Sequence, residues 1–195
     1  MRVGLYFGSF NPIHLGHIHI AQEARNQFML DEVWLMVSPQ NPFKETTELA
    51  HENDRLAMAH IACENTPHIR PSDVEFSMPK PSYTISTVEK LRADYPENTF
   101  FLIIGEDNLH SFHLWKDSEQ LLKLLDVIVY PRASAAVVLP VELIGHKNCF
   151  HTLAGRLVPI SATSIREKIY AGLQADDMLH PDVLKYIRQH HLYSS

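Results

Sequence analysis

The chain has 195 residues, 45% apolar and 21% charged, with a formal net charge of -6, which fits one globular domain over residues 1–195 with a buried core. That acidic balance argues against broad binding to nucleic acid or an anionic membrane. Cys63 and Cys149 are too few for a disulfide framework and lack metal-ligand spacing. No run approaches the ~20 apolar residues of a membrane span and no leader pattern opens the chain, so a cytoplasmic protein with reduced thiols is expected.

In chain order, VGLYF (3–7) is the first strand candidate, and GSFNPIHLGH (8–17) leads from it into a helix expected over 15–29. EVWLMVS (32–38) predicts a second strand with Trp34 in the core. The connection PQNPFKETTELAHE (39–52) precedes a helix at 53–65, and HIRPSDVE (68–75) is a weak third strand. FSMPKPSYT (76–84) then leads into a helix at 84–94. TFFLIIG (99–105) predicts the fourth strand, followed by GEDN, a helix at 116–125 and the strand DVIVYP (126–131). RLVPI (156–160), a helix at 164–171 and another at 181–190 complete the set.

Strand–helix alternation of this kind predicts an α/β protein with a parallel sheet covered on both faces. The unbroken apolarity of TFFLII and DVIVY suits strands buried on both sides. The connections 39–52 and 76–84 carry prolines and little periodicity, and loops of that length in a compact domain tend to be functional. Neither G-x-G-x-x-G after the first strand nor G-x-x-x-x-G-K-[ST] is present, which argues against dinucleotide-fingerprint hydride transfer and P-loop chemistry.

Two segments carry candidate chemistry. In GSFNPIHLGH, Gly8 allows a tight turn, Asn11-Pro12 holds the loop, and His14 and His17 fall at i and i+3 of the first helical turn. Gly16 between them removes a side chain where a ligand could approach the backbone. Imidazoles at a helix amino terminus are compensated best by an anion, so a phosphate is the expected ligand. A metal site lacks carboxylate or cysteine partners at ligand spacing, and none is expected. In PISATSIREK, Ser164 and Glu167 have capping-box spacing, but Arg166 places a cation in the first turn against the dipole. With hydroxyls from Ser161 and Thr163 it forms a second candidate phosphate clamp.

H-x-G-H early, I-S-x-T-x-I-R late, PSYT (81–84), FLIIGEDN (101–108) and Trp115 together resemble the bacterial nicotinate-nucleotide adenylyltransferases. This resemblance, within the wider nucleotidyltransferase superfamily, runs from Met1 to HPDVLKYIRQHHLY. The family usually shows G-G-x-F-D-P where this chain has Phe7, Gly8, Ser9, Phe10, Asn11 and Pro12, and Ser86 stands where an aspartate often follows PSYT. The resemblance implies a Rossmann-like doubly wound sheet of order 3-2-1-4-5. It also implies adenylyl transfer from ATP, with Mg2+, to nicotinate mononucleotide.

By the same resemblance ATP meets Gly8, Ser9, Phe10, His14, His17, Gly105, Asp107, Ser161, Thr163 and Arg166, with Lys44 from the first long loop. His17, His14 and Arg166 would act on the phosphates in flight, with His17 foremost. Tyr83, Thr84 and Trp115 would hold the pyridine half, and Arg132 in YPR is a further phosphate or carboxylate partner. Because ligands bind where winding reverses at the carboxyl ends of strands, GSFNP and GEDN would flank one crevice, with Asp107 accepting from a ribose hydroxyl. Two alternatives stay open at this stage. One is another transferase of the superfamily, such as the pantetheine-phosphate enzyme; the other is a catalytically silent nucleotide sensor. The oligomeric state is left open.

Overall fold

Alternate residues of the central strands point to opposite sides, and both sides are apolar. In TFFLIIG, Phe100, Leu102 and Ile104 pack into one buried cluster, while Phe101 and Ile103 pack into the other. The computed structural model describes residues 1–39, 49–131, 137–155 and 160–194. Its strands are β1 (Arg2–Gly8), β2 (Glu32–Val37), β3 (Ile69–Ser72), β4 (Thr99–Gly105), β5 (Asp126–Tyr130) and β6 (Phe150–Thr152). They form one parallel sheet in the order β3-β2-β1-β4-β5-β6. Gly4 in β1 makes room for its neighbours, since a Cβ there would lie 2.8 Å from both Ile103 Cδ1 and Leu30 Cδ1.

Helices α1 (Leu15–Gln27), α2 (Glu52–Cys63), α6 (Ala162–Tyr170) and α7 (Pro181–Gln189) cover one face through residues such as Ala21, Met58, Ile165 and Val183. Helices α3 (Thr84–Asp94), α4 (Glu106–Ser111) and α5 (Ser118–Leu124) cover the other through Val88, Leu109 and Leu121. Their starts follow local chemistry. Acidic Glu52 and Asp54 occupy the first turn of α2, and Pro181 opens α7. Trp34 is 3% exposed, as a core residue of β2 should be. Among the described residues no helix is long and apolar enough to cross a membrane.

The expected order 3-2-1-4-5 is present, and a sixth strand extends it beyond β5. β6 is three residues long and enters from a 3-10 stretch at Val141–Cys149, so no periodicity announces it. The strand expected over 68–75 stops at Ser72, where a 3-10 turn (Val74–Ser77) takes over. Helix α4 follows β4 at once, where only a loop was expected. Residues 156–159 of the strand candidate RLVPI lie outside the described residues, and Ile160 is not in a strand.

Candidate active site

The winding of the sheet reverses between β1 and β4, so the chain leaves these neighbouring strands toward opposite faces. From β1 it enters the turn Ser9–His14. Phe10 there has φ 45, a left-handed conformation in a non-glycine residue, of the kind that costs roughly 1–3 kcal/mol and must be held by its surroundings. Its ring is 2% exposed, set edge-on to Tyr6 at 5.8 Å and to His17 at 5.0 Å.

This changes the role of Gly8. Gly8 closes β1 as ordinary strand, and its missing side chain serves space, because a Cβ would stand 2.9 Å from Phe10 Cζ. The tight conformation belongs to Phe10. Gly16 is similar: its Cβ would lie 3.0 Å from His14 Nδ1 and 3.6 Å from Ile160 Cβ, so the histidine ring and α6's approach fill the space expected for a ligand.

His14 is the N-cap of α1 (φ -144, ψ 169), one step outside the helix, and His17 is its third residue. Their rings stack nevertheless, with centroids 3.6 Å apart and planes 22° from parallel. The backbone N–H of His14 donates to His17 Nδ1 at 3.2 Å, which assigns the proton of a neutral His17 to Nε2. His14 is 6% exposed, whereas His17 is half-buried. At the start of α1 the Leu15 N–H is already spent on Met178 O at 3.0 Å, so the side chains carry more of any anion site than the helix end does.

The two phosphate motifs meet through Asn11. Arg166 Nη1 donates to the Asn11 backbone oxygen at 3.0 Å. Helix α6 begins at Ala162 with Ser161 as its N-cap, whose Oγ accepts from Ser164 N at 3.1 Å. The expected box between Ser164 and Glu167 is therefore replaced by a cap three residues earlier, and Arg166 stands in the second turn, from which it can reach back to the turn after β1. Ser161 and Thr163 are exposed at the same helix end.

Two residues that hold this turn, and a third beside β1 and β4, were not singled out in the sequence. Arg55 of α2 is 1% exposed, and its guanidinium donates to the carbonyls of Ser9 (2.6 Å), Ser38 (2.7 Å), Pro39 (2.9 Å) and Ala50 (3.0 Å). It ties the ends of β1 and β2 to the start of α2, and burial draws its pKa below the usual arginine value. Its signal was available: with Met58, Ala59 and Ala62 it lies on the buried stripe of α2, where a cation is out of place. Tyr193 donates its hydroxyl to Asn11 Oδ1 at 2.7 Å, and burial pushes that hydroxyl's pKa well up despite Arg55 and Arg166 nearby. Tyr130 meets Tyr6 hydroxyl to hydroxyl at 3.3 Å, and its ring occupies the room left by Gly105, whose Cβ would lie 2.9 Å from Tyr130 Oη.

On the opposite face, Tyr83 is the N-cap of α3 and Thr84 its first residue. Trp115 is half-buried, tilted by 34° against Phe112 at 5.2 Å. Lys116 joins the two segments by resting its Nζ 4.5 Å above the Tyr83 ring. Beneath them Thr87 Oγ1 donates to the buried Glu75 carboxylate at 2.7 Å. Asp107 is exposed in the first turn of α4, directly beyond Gly105. Lys44 and Arg132 lie outside the described residues.

The fold and the joined motifs can be set beside known proteins. The cytidylyltransferase-like family profile matches residues 5–168. A Flavobacterium johnsoniae protein named "Probable nicotinate-nucleotide adenylyltransferase" is 42% identical over 193 residues, covering 99% of each chain. A Cytophaga hutchinsonii protein of the same name is 44% identical over 195 residues, with each chain covered in full.

The chain belongs to the nicotinate-nucleotide adenylyltransferase family.

The Plasmodium falciparum nicotinic acid mononucleotide adenylyltransferase, solved in complex with NaAD, superposes with a TM-score of 0.81 at 21% identity. That match covers 98% of this chain and 97% of the other, so the adenylyltransferase fold extends over nearly the whole length.

Proposed function

We propose that this chain transfers the adenylyl group of ATP to the phosphate of nicotinate mononucleotide, giving deamido-NAD and pyrophosphate, a step of NAD biosynthesis. The observation that carries the reading is the union of two phosphate motifs: stacked His14 and His17 joined to Arg166 through Asn11. They stand beside the carboxyl end of β1, where its neighbour β4 leads into Gly105 and Asp107.

In the reaction a phosphate oxygen of the mononucleotide forms a bond to the α-phosphorus of ATP as the bond to the β-phosphate oxygen breaks. The substrate supplies the nucleophile. What remains for the protein is positioning and neutralising charge on the transferring and leaving oxygens. His17 would direct its Nε2–H at the α-phosphoryl oxygens, with its ring already clamped by His14, Phe10 and Tyr6. Arg166, Ser161 and Thr163 would face the departing phosphates, joined by Lys44. Gly8, Ser9 and Phe10 would meet ATP through their backbone, since the Phe10 ring is buried. Asp107 would accept from a ribose hydroxyl, and Gly105 would meet the nucleotide through its backbone at the end of β4.

For the acceptor, Trp115 offers a face to the pyridine, Tyr83 and Thr84 offer polar groups at the start of α3, and Arg132 is a further anion partner. Magnesium would arrive with ATP as part of the substrate, held mainly by phosphates and water. Among the described residues no three His, Cys, Asp or Glu side chains group to hold a metal ion. Both sheet faces share the same strands, which supports treating the chain as one domain.

The test is pyrophosphate release from ATP with a panel of acceptors: nicotinate mononucleotide, nicotinamide mononucleotide and phosphopantetheine. Release should be fastest with the nicotinate form, and His17→Ala should lower kcat by roughly 10²- to 10³-fold while ATP affinity changes far less. Preference for phosphopantetheine, or no release with any acceptor, would overturn the reading.

A further inference from the structure

We propose that Tyr193 is a positioning residue for adenylyl transfer: from the segment after α7, its hydroxyl holds the phosphate-binding turn in working shape through Asn11. The proposal rests on the reaction put forward above. Asn11 is 3% exposed and receives bonds from three directions. Its Oδ1 accepts from Tyr193 Oη at 2.7 Å and from Ala50 N at 3.1 Å, and its backbone oxygen accepts from Arg166 Nη1 at 3.0 Å. One buried residue thus links the segment after α7, the approach to α2 and the cation of α6.

A left-handed residue stands at one end of the tyrosine bond and beside the other. Phe10, the neighbour of Asn11, has φ 45, and Tyr193 has φ 61. Non-glycine residues persist in that conformation when surrounding contacts over-determine it. Without the hydroxyl, the turn loses a tie beside its strained residue. Asn11 then carries its backbone oxygen, and with it Arg166, away from the position set relative to His14 and His17. A tyrosine hydroxyl is protonated at neutral pH, and burial raises the Tyr193 pKa further, so it remains a donor.

The same part of the chain contains a built-in control. Tyr186 of α7 also donates one hydroxyl bond, at 2.9 Å, but to Asp54 of α2 and not to the turn. Tyr193→Phe and Tyr186→Phe each delete one oxygen and keep the ring. Tyr193→Phe should lower kcat about tenfold, which is about 1.4 kcal/mol of transition-state stabilisation. KM for nicotinate mononucleotide, bound from the other face, should hold. Tyr186→Phe should keep both constants while shifting the melting temperature comparably. Wild-type kcat in Tyr193→Phe, or an equal kcat loss in Tyr186→Phe, would overturn the proposal. Amide hydrogen exchange across residues 8–14 gives a readout independent of the reaction. If the wild-type chain released no pyrophosphate with any acceptor, the reaction would be wrong, and exchange alone would decide. Faster exchange in Tyr193→Phe than in Tyr186→Phe upholds the strap, and equal exchange overturns it.

Discussion

Replacing Gly8 with alanine tests whether this glycine provides space or conformation. The added Cβ would lie 2.9 Å from Phe10 Cζ and 3.0 Å from Cε1, closer than carbon atoms approach without something moving. The ring cannot swing away cheaply. It is 2% exposed, wedged edge-on against Tyr6 and His17, and carried by a backbone already at φ 45. Overpacking of this kind costs about 1–3 kcal/mol, and at about 2–4 °C per kcal/mol for a chain of this size the melting temperature should fall roughly 2–12 °C. Because the ring abuts His17 at 5.0 Å between centroids, its displacement also reaches the site. A misplacement of ~1 Å can cost on the order of 10²-fold in rate. Thermal melting and pyrophosphate release are measured on Gly8→Ala and on the pair Gly8→Ala/Phe10→Leu. The smaller leucine should restore much of the lost stability. If Gly8→Ala melts like the wild type, or if Phe10→Leu restores nothing, the clash is not the reason for glycine here. Lost activity at wild-type stability would point instead to close approach of the nucleotide to the strand end.

Trp115→Ala should raise KM for nicotinate mononucleotide roughly 5- to 30-fold while leaving that for ATP nearly unchanged, as loss of a stacking face worth about 1–2 kcal/mol requires; equal weakening of both substrates would make the residue core. Arg55→Met strands the carbonyls of Ser9, Ser38, Pro39 and Ala50. At about 1–3 kcal/mol for each unsatisfied group, melting should fall by more than ~10 °C, with only partial recovery in Arg55→Lys because an ammonium lacks the guanidinium fork. A melt within a degree or two of wild type would show those carbonyls find other donors. Burial pushes the Cys63 thiol up to about 12, so the folded chain keeps a proton there that the unfolded chain releases near the ordinary thiol value. Its contribution is complete below that ordinary value and is lost as pH rises toward 12, a decline that Cys63→Ala should remove from denaturant titrations at alkaline pH. The folded thiol should also resist a disulfide reagent at pH 8, and rapid labelling would contradict its burial.

Patterns that act over a few residues could be read from the sequence alone. β-branched and aromatic runs separated by helical periodicity determined, among the described residues, five of the six strands in kind and a sheet covered on both faces, though the third strand was read too long. The family resemblance carried by the two motifs implied one phosphate site for His14, His17, Ser161, Thr163 and Arg166, and context separated Trp34, 3% exposed in β2, from half-buried Trp115. The tertiary structure decided what depends on neighbours distant in the chain. β6 is a strand because the edge of β5 was open to pair with Phe150–Thr152, a segment too short for any period of its own. Ser161, not Ser164, caps α6, its Oγ accepting from Ser164 N at 3.1 Å. Gly8 and Gly105 are glycines because the rings of Phe10 and Tyr130 need their space, and one ring lies two residues away while the other comes from another strand. Arg55 and Tyr193 gain their roles only when α2 and the end of the chain fold over the turn at Ser9–His14. A buried guanidinium or phenol must find acceptors wherever the fold supplies them, and sequence spacing holds no record of partners 46 and 182 residues away.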